Sequence, residues 1–386
     1  MTNQKLIESF ATPFYVFDFE VLKDRIEHIK KSIPSNIDLC YAVKANTFII
    51  GEAEKYVQRL EVCSQGEFEI CEYLKTPMEK IVLSGVYKTP EFIERVVKQY
   101  DNIGIYTIES LTQYELLKRL AQKYQKKLNV LVRINSKNQF GLTEDEFKTI
   151  IKDNDSMIEL KGIQYFSTTQ KSSYKKLKRE FDYLGELVTR IEEEFKISFQ
   201  ELEYGTGSPV TYFEEECFDE EEYFSQLSQL VSQMPSHLKI TFEMGRSIAA
   251  SCGTYYSSVV DMKTNKAGNF AIIDGGMNHL VYFGQSMAMK HPHFEMYPHR
   301  DAGNTAEWNI CGSLCTVNDI VVKALPVDDM SIGDVIIFKN TGAYCMCEGI
   351  SLFLSRELPA VVLAHGDNAR LVRNHFKTSE LNKPAK

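Results

Sequence analysis

No apolar run in the sequence is long enough to cross a bilayer, and Met1-Thr2-Asn3-Gln4-Lys5 lacks the charged-then-apolar pattern of a signal segment. A membrane role is therefore not expected. Basic blocks are also absent. Lys and Arg total 44 against 53 Asp and Glu, and the net charge of -9 argues against a nucleic-acid partner. The longest acidic run, Glu214-Glu215-Glu216 continuing to Asp219-Glu220-Glu221-Glu222, reads as a solvated helical surface. Nine cysteines form an odd set without framework spacing, which predicts free thiols in a reducing cytoplasm. Neither Cys345-Met346-Cys347 nor Cys311 with Cys315 has zinc-knuckle spacing, and His291, His293 and His299 share a Pro-containing loop. No metal is expected.

What is present is enough apolar residue for a large core. At 386 residues and 44% hydrophobic content, two domains are expected. From about residue 38 to 247, short β-rich runs alternate with longer amphipathic stretches. The strand candidates are Asp38–Asn46, Arg59–Ser64, Lys80–Gly85, Asn102–Ile108, Leu128–Asn135, Leu160–Thr168, Glu201–Gly207 and Lys239–Ser247. Pro90–Gln99, Leu111–Gln125 and Ser172–Phe195 are helical patterns between them. Eight strands in strict alternation predict a (β/α)8 TIM barrel over residues 25–252.

After about residue 253 the long helices stop. Thr254–Val260, Phe270–Ile273, Leu314–Val322, Asp334–Lys339 and Ala360–Leu363 read as strands separated by turns such as Asp274-Gly275-Gly276. They predict a C-terminal all-β domain over 253–386. Thr12–Asp18 is also a strand, outside the series of eight, so residues 1–24 are assigned to the β-domain. The tail after Lys377 is polar and expected to be loose.

One residue breaks the pattern of the first barrel strand. Lys44 sits inside Tyr41-Ala42-Val43-Lys44-Ala45-Asn46, and burying an ammonium without a partner is expensive. Desolvation favours a neutral amine, which can attack a carbonyl and hold it as a Schiff base. The plainer alternative is a lysine whose head reaches water from the strand end. In such a barrel the functional groups lie at the C-terminal ends of strands. Those ends read Lys44 and Asn46, Glu61 and Ser64, Arg133, Thr168 and Thr169, Gly205-Thr206-Gly207, and Glu243-Met244-Gly245-Arg246. The glycine turn leaves backbone N–H groups bare for a phosphate, and Gly245-Arg246 adds a charged fork on the next strand. A phosphate site, a Schiff-base lysine and Glu243 fit pyridoxal 5′-phosphate, with the carboxylate pairing with the pyridine nitrogen. A rim salt bridge is the alternative reading of Glu243 and Arg246.

These residues resemble the fold-type III pyridoxal-phosphate decarboxylases, the group of diaminopimelate, ornithine and carboxynorspermidine decarboxylases. The resemblance runs from about Thr12 to Leu363. It is carried by Thr12-Pro13-Phe14-Tyr15-Val16, the Lys44 hexapeptide, Glu243-Met244-Gly245-Arg246-Ser247, Asp274-Gly275-Gly276-Met277-Asn278, Gly312-Ser313-Leu314-Cys315 and Gly342-Ala343-Tyr344. It implies that Lys44 is the Schiff-base lysine, that Glu243 faces the pyridine nitrogen, and that Gly207, Gly245, Arg246 and Tyr344 hold the phosphate. It implies that Cys315 returns a proton to Cα after carbon dioxide leaves. In the family the cysteine loop and the Gly-Ala-Tyr tyrosine complete the partner subunit's site, so a homodimer with shared active sites is implied. Glu61 and Arg133 match polar barrel positions near the cofactor.

Three departures from the family pattern stand out. Phe166, followed two and three residues on by Thr168 and Thr169, replaces the usual stacking histidine and its Gly-Ser. Thr316 follows Cys315 where the diamine and diaminopimelate enzymes carry an acid. The segment around Tyr282 has no arginine for a distal carboxylate. The expected reaction is decarboxylation of a small α-amino acid other than diaminopimelate or ornithine, extending to a secondary-metabolite or carrier-protein-linked substrate touching Glu61, Arg133, Tyr282 and Thr316. The alternatives are an amino-acid racemase on the same fold and a non-catalytic binding relative. Alanine racemase has an arginine, not a glutamate, at the pyridine nitrogen, so Glu243 favours decarboxylation.

Overall fold

Seventeen strands and their helices are seen in a computed structural model that describes residues 1–300 and 303–385. Two compact units account for them, one formed by Ile26–Pro209 with Asp219–Gly245, the other by Met1–Arg25, Val210–Phe218 and Arg246–Lys386.

The first unit is a closed eight-stranded parallel barrel of β2 (Asp38–Ala42), β3 (Arg59–Val62), β4 (Ile81–Leu83), β5 (Ile105–Ile108), β6 (Leu128–Arg133), β7 (Ile158–Tyr165), β8 (Glu201–Gly205) and β9 (Lys239–Met244). Strands β9 and β2 close it in the register Asp38↔Thr241 to Tyr41↔Met244. Helices start where the local chemistry allows. Thr89 caps Pro90–Gln99 by accepting the Phe92 N–H, and Pro90 sits where no N–H is needed. Phe92, Ile93, Val96 and Val97 then fall on one buried stripe. In Glu144–Asp153, Thr143 and Glu146 form a reciprocal capping box. Burying each such Val, Ile, Leu or Phe contributes about 1.5–3 kcal/mol.

The barrel interior is only partly apolar. Cys40, Val82, Ile105 and Leu131 make one packed cluster. Elsewhere the buried residues include Glu61, Gln164, Glu201, Glu203, Thr241 and Glu243. Charge inside a barrel is expensive unless paired, so the pairing of these groups decides what the barrel can do.

The second unit is a nine-stranded mixed sheet of β1 (Phe14–Asp18), β10 (Gly253–Asn265), β11 (Gly268–Ile273), β12 (Phe294–Tyr297), β13 (Thr305–Cys311), β14 (Ile320–Asp328), β15 (Val335–Phe338), β16 (Ala360–His365) and β17 (Asn368–Arg373). Strand β10 is its spine, pairing β1, β15 and β11 along successive stretches. Strand β1 lies between β10, antiparallel, and β16, parallel. Leu6, Phe14, Val16, Tyr256, Val335, Ile337, Ala360, Val362 and Ala364 form its core.

The barrel and the sheet with its N-terminal strand agree with the sequence reading; four local expectations do not. The first barrel strand stops at Ala42, and Val43–Ala45 is a 3-10 turn capped by the Asn46 N–H on the Val43 carbonyl. Lys44 thus leaves the sheet, and its side chain is 39% exposed rather than enclosed. The predicted strand Leu314–Val322 is a loop until Ile320, because the Asp319 carboxylate accepts the Met277 and Leu314 N–H groups and curls the segment. Gly276 and Gly312 leave room for that carboxylate, which a Cβ at either would meet within 2.6 Å. The tail after Lys377 is anchored, since Thr378 is buried and donates to the Arg356 carbonyl ahead of a short helix, Ser379–Asn382. The acidic run is split. Glu216 accepts the Tyr212 and Phe213 N–H groups and pairs with Lys290, while Asp219 caps the helix Glu220–Val231.

Candidate active site

At the C-terminal mouth of the barrel, Lys44 Nζ stands 2.5 Å from Glu61 Oε2, 3.6 Å from Cys63 Sγ and 3.7 Å from Glu243 Oε1. The turn after β2, the end of β3 and the end of β9 supply these groups. Burial pushes the Glu61 carboxyl up, but the Lys44 charge and hydrogen bond outweigh it and bring the group below its usual range. Glu243 has no such close cation. Burial, and then the charge of Glu61, push it up to about 7. Burial likewise drives the Cys63 thiol well up, so it stays protonated beside the amine. Arg133, at the end of β6, donates from Nη1 to Glu109 Oε1 at 3.4 Å and lies 4.8 Å over the Phe140 ring.

Two strands further round, the glycine turn is bare for a geometric reason. Gly205 has no Cβ because one would lie 2.4 Å from Phe166 Cδ2, so the Phe166 ring lies against the end of β8. Gly207 has φ +59°, and a Cβ there would lie 2.3 Å from the Thr168 carbonyl oxygen. Behind the turn, Lys171 is fully buried; its Nζ donates to Glu180, to Tyr204 Oη at 2.9 Å and to the Gly205 carbonyl at 3.1 Å. Thr169 lies on the loop opposite the turn, half-buried, and Gly245 ends the barrel unit. Gly207→Ala is expected to weaken cofactor binding through loop distortion, with at least about 1–2 kcal/mol of left-handed backbone strain. Titration of the purified protein with pyridoxal 5′-phosphate, followed by absorbance, measures it; an unchanged dissociation constant removes the turn from the site.

Arg246, Tyr212, Tyr282, Cys315, Thr316 and Tyr344 belong to the sheet unit. There the Arg246 guanidinium lies between the rings of Phe283 and Tyr344, 4.6 Å from each centroid, and donates to Tyr212 Oη at 2.9 Å. Those contacts fix the fork in one plane. Tyr344 takes a left-handed backbone, φ +64°. Cys315 is exposed, and Thr316 Oγ1 accepts the Asn318 N–H. Tyr282 is only 4% exposed, packs on Tyr212 and Phe213, and donates its hydroxyl to the Lys339 carbonyl.

The sequence reading missed several groups here. Gln164 Nε2 donates to Glu243 Oε2 at 3.0 Å and to Glu203 Oε1 at 3.2 Å, deep in the barrel. Arg59 donates to Glu201 at 2.7 Å and to Glu203 at 3.4 Å. Lys88, buried, donates to the Gly85 carbonyl and Gln113, and burial lowers it to about 8. The available signal was polar residues recurring inside otherwise apolar strands, Gln164 in β7 and Glu201 with Glu203 in β8.

A primary amine flanked by carboxylates at a barrel mouth, two strands from a turn that tolerates no Cβ, suits an aldehyde cofactor with a phosphate tail. With the mixed sheet in the same chain, it defines a barrel-and-sheet pyridoxal enzyme. Residues 14–342 match the family described as "Pyridoxal-dependent decarboxylase, C-terminal sheet domain", and the chain belongs to it. It is a pyridoxal 5′-phosphate-dependent amino-acid decarboxylase, a carboxy-lyase.

The curated relatives are distant but full-length. A 2-[(L-alanin-3-ylcarbamoyl)methyl]-2-hydroxybutanedioate decarboxylase of Staphylococcus aureus is 27% identical over 93% of this chain and 96% of its own. An L-glutamyl-[BtrI acyl-carrier protein] decarboxylase of Niallia circulans is 26% identical over 95% and 92%. The diaminopimelate decarboxylase of Campylobacter jejuni is 25% identical over 89% of each chain. Among solved structures, Helicobacter pylori diaminopimelate decarboxylase in complex with L-lysine has TM-score 0.86 at 22% identity, covering 98% of both chains, a likeness of fold. Among the described residues, no helix is long and apolar enough to cross a membrane.

Proposed function

We propose that the protein decarboxylates an α-amino acid whose far end carries neither the amino-acid group of diaminopimelate nor the ammonium of ornithine. The observation that carries this reading is the Lys44–Glu61–Glu243 constellation, combined with the neutral chemistry at Thr316 and Tyr282. Thr316 supplies a hydroxyl where a distal ammonium needs a carboxylate. Tyr282 has its hydroxyl on a backbone carbonyl and offers no charge to a distal carboxylate. Two of the relatives act, by name, on an amide-extended and a carrier-linked substrate, and they are as similar to this chain as the diaminopimelate enzymes are.

The bound cofactor supplies an electron sink for the bond to the departing carboxylate. Lys44 supplies the amine that holds the cofactor and yields it to the substrate. Glu61 keeps that amine in place and takes up its charge. Glu243 holds a proton on the ring nitrogen, while Phe166 stacks on the ring through its π face and excludes water. Gly207, Thr169 and Gly245 would hold the phosphate from the barrel; in the sheet unit the Arg246 guanidinium, its plane set against Phe283 and Tyr344, is suited to the same anion chemistry. Cys315, from the partner subunit of a homodimer, delivers a proton to Cα; Arg133 and Glu61 line the substrate side.

Carbon dioxide release from free L- and D-amino acids, amide-extended amino acids and carrier-protein thioesters is the test. Turnover is expected on an extended or carrier-linked substrate, with diaminopimelate and ornithine at least about 100-fold poorer in kcat/KM, the scale on which an unpaired buried polar group discriminates. Preference for diaminopimelate would refute the proposed specificity, and racemisation without carbon dioxide would refute the reaction.

A further inference from the structure

Four carboxylates point into the polar half of the barrel, and among the described residues two cations, Lys44 and Arg59, stand within ion-pair distance of them. Lys44 is matched to Glu61 at 2.5 Å and Arg59 to Glu201 at 2.7 Å. That leaves Glu203 and Glu243, each more than 3 Å from a cation, at 3.4 Å from Arg59 and 3.7 Å from Lys44. One amide nitrogen, Gln164 Nε2, bridges the two remaining carboxyl groups. Two negative charges on one amide, out of water, do not both persist.

We propose that Glu203 is held as a neutral carboxylic acid in the barrel core, and that Gln164 and Glu203 act as positioning residues that leave Glu243 the ionised partner of the cofactor ring. The proposal rests on the reading of Glu243 given above. Three observations support it. Glu203 is the deeper group, with no exposed surface, whereas Glu243 lies at the strand end near Lys44. Gln164 Oε1 is a buried acceptor with no hydrogen-bond partner, which leaves the cluster one donor short. Burial, then the charge of Glu243, push Glu203 up to about 8, above Glu243.

The groups that face Glu203 are Arg59 and Glu61 from β3, Cys40 from β2, Glu243 from β9, Gln164 from β7 and Glu201 on its own strand. Arg59, shared with Glu201, and the Gln164 N–H favour the charged form, while burial and the charges of Glu243, Glu61 and Glu201 oppose it.

The sign of the pH dependence follows. Between the ordinary carboxylate range and about 8, the folded chain holds a proton at Glu203 that the unfolded chain has released. Stability is therefore full at low pH and falls as pH rises through that window.

The test uses the purified full-length chain, with and without pyridoxal 5′-phosphate, as wild type, Glu203→Gln and Gln164→Leu. In wild type, an infrared carbonyl band of a protonated carboxylic acid is expected at neutral pH and is lost in Glu203→Gln. The urea midpoint of the cofactor-free protein should fall as pH rises from about 5 to 8, and fall less in Glu203→Gln. As a neutral isostere, that variant keeps decarboxylase activity within about threefold. Gln164→Leu, which leaves Glu243 without its donor, moves the pH at which the bound-cofactor absorbance changes upwards. It also reports on the cluster if Glu203→Gln does not fold. A band unaffected by Glu203→Gln, an unchanged pH slope, or loss of most activity in that variant would each overturn the proposal. The infrared and urea readings need no turnover, so a wrong substrate or reaction would leave them standing.

Discussion

Lys44→Ala is expected to abolish decarboxylation, lowering kcat by on the order of 10³-fold or more, and to remove the visible absorbance of a lysine-held cofactor. The Lys44 amine stands at the barrel mouth, and Glu61 is placed to accept from it at 2.5 Å. Alanine also strips the buried Glu61 of its cation, so a lost charge could be mistaken for lost chemistry. Lys44→Arg separates them. It restores a cation near Glu61 but, always protonated, cannot form the covalent link. Both variants are therefore expected to be equally inactive, with Lys44→Arg retaining more of the wild-type thermal stability. Absorbance, borohydride reduction with peptide mapping, and carbon dioxide release measure the three effects. Label at any residue other than 44, or turnover in either variant, rejects the assignment.

The second large effect is expected at Glu243. Glu243→Gln keeps the shape and the contact with Gln164 but cannot hold a proton on the ring nitrogen. A fall in kcat of roughly 10²- to 10³-fold is expected, the range seen when one preorganised charge-stabilising group is removed. Cofactor binding is retained, because the phosphate and the covalent link are untouched. The pH profile adds a sharper reading. Burial and the charge of Glu61 push Glu243 up to about 7 in the cofactor-free protein; a protonated ring nitrogen beside it draws it down, so the acid limb of wild-type kcat/KM that its ionisation sets is expected below 7. In Glu243→Gln that limb disappears. A variant with near-wild-type kcat and an intact acid limb would show that Glu243 is a structural carboxylate.

The barrel could be read from the chain because each strand is a short apolar run bracketed by cap and turn residues, as at Thr89-Pro90 and Thr143 with Glu146. Lys44, Glu61, Glu243 and the glycine turn were visible because they sit where strands end. Gln164 and Glu203 were not, since a polar residue within a parallel strand looks the same whether it faces the barrel axis or the helices; closure of the sheet decides. Leu314–Ile320 was misread because its composition suits a strand, while the carboxylate that bends it, Asp319, acts through Met277, far away in sequence. Lys44 was placed too deep because propensity does not reveal where the sheet lets go of Val43.

Because Phe14–Asp18 fills the gap between Gly253–Asn265 and Ala360–His365, a nascent chain emerging from the ribosome must keep one side of this segment unsatisfied until Ala360–His365 appears. The barrel, whose pairings apart from the β2–β9 closure are all between consecutive strands, can condense meanwhile as the polypeptide lengthens. Any premature stop before Ala360 would leave one side of that strand with bare amides and carbonyls, a template for self-association, so such truncated chains should yield aggregates rather than partially active enzyme.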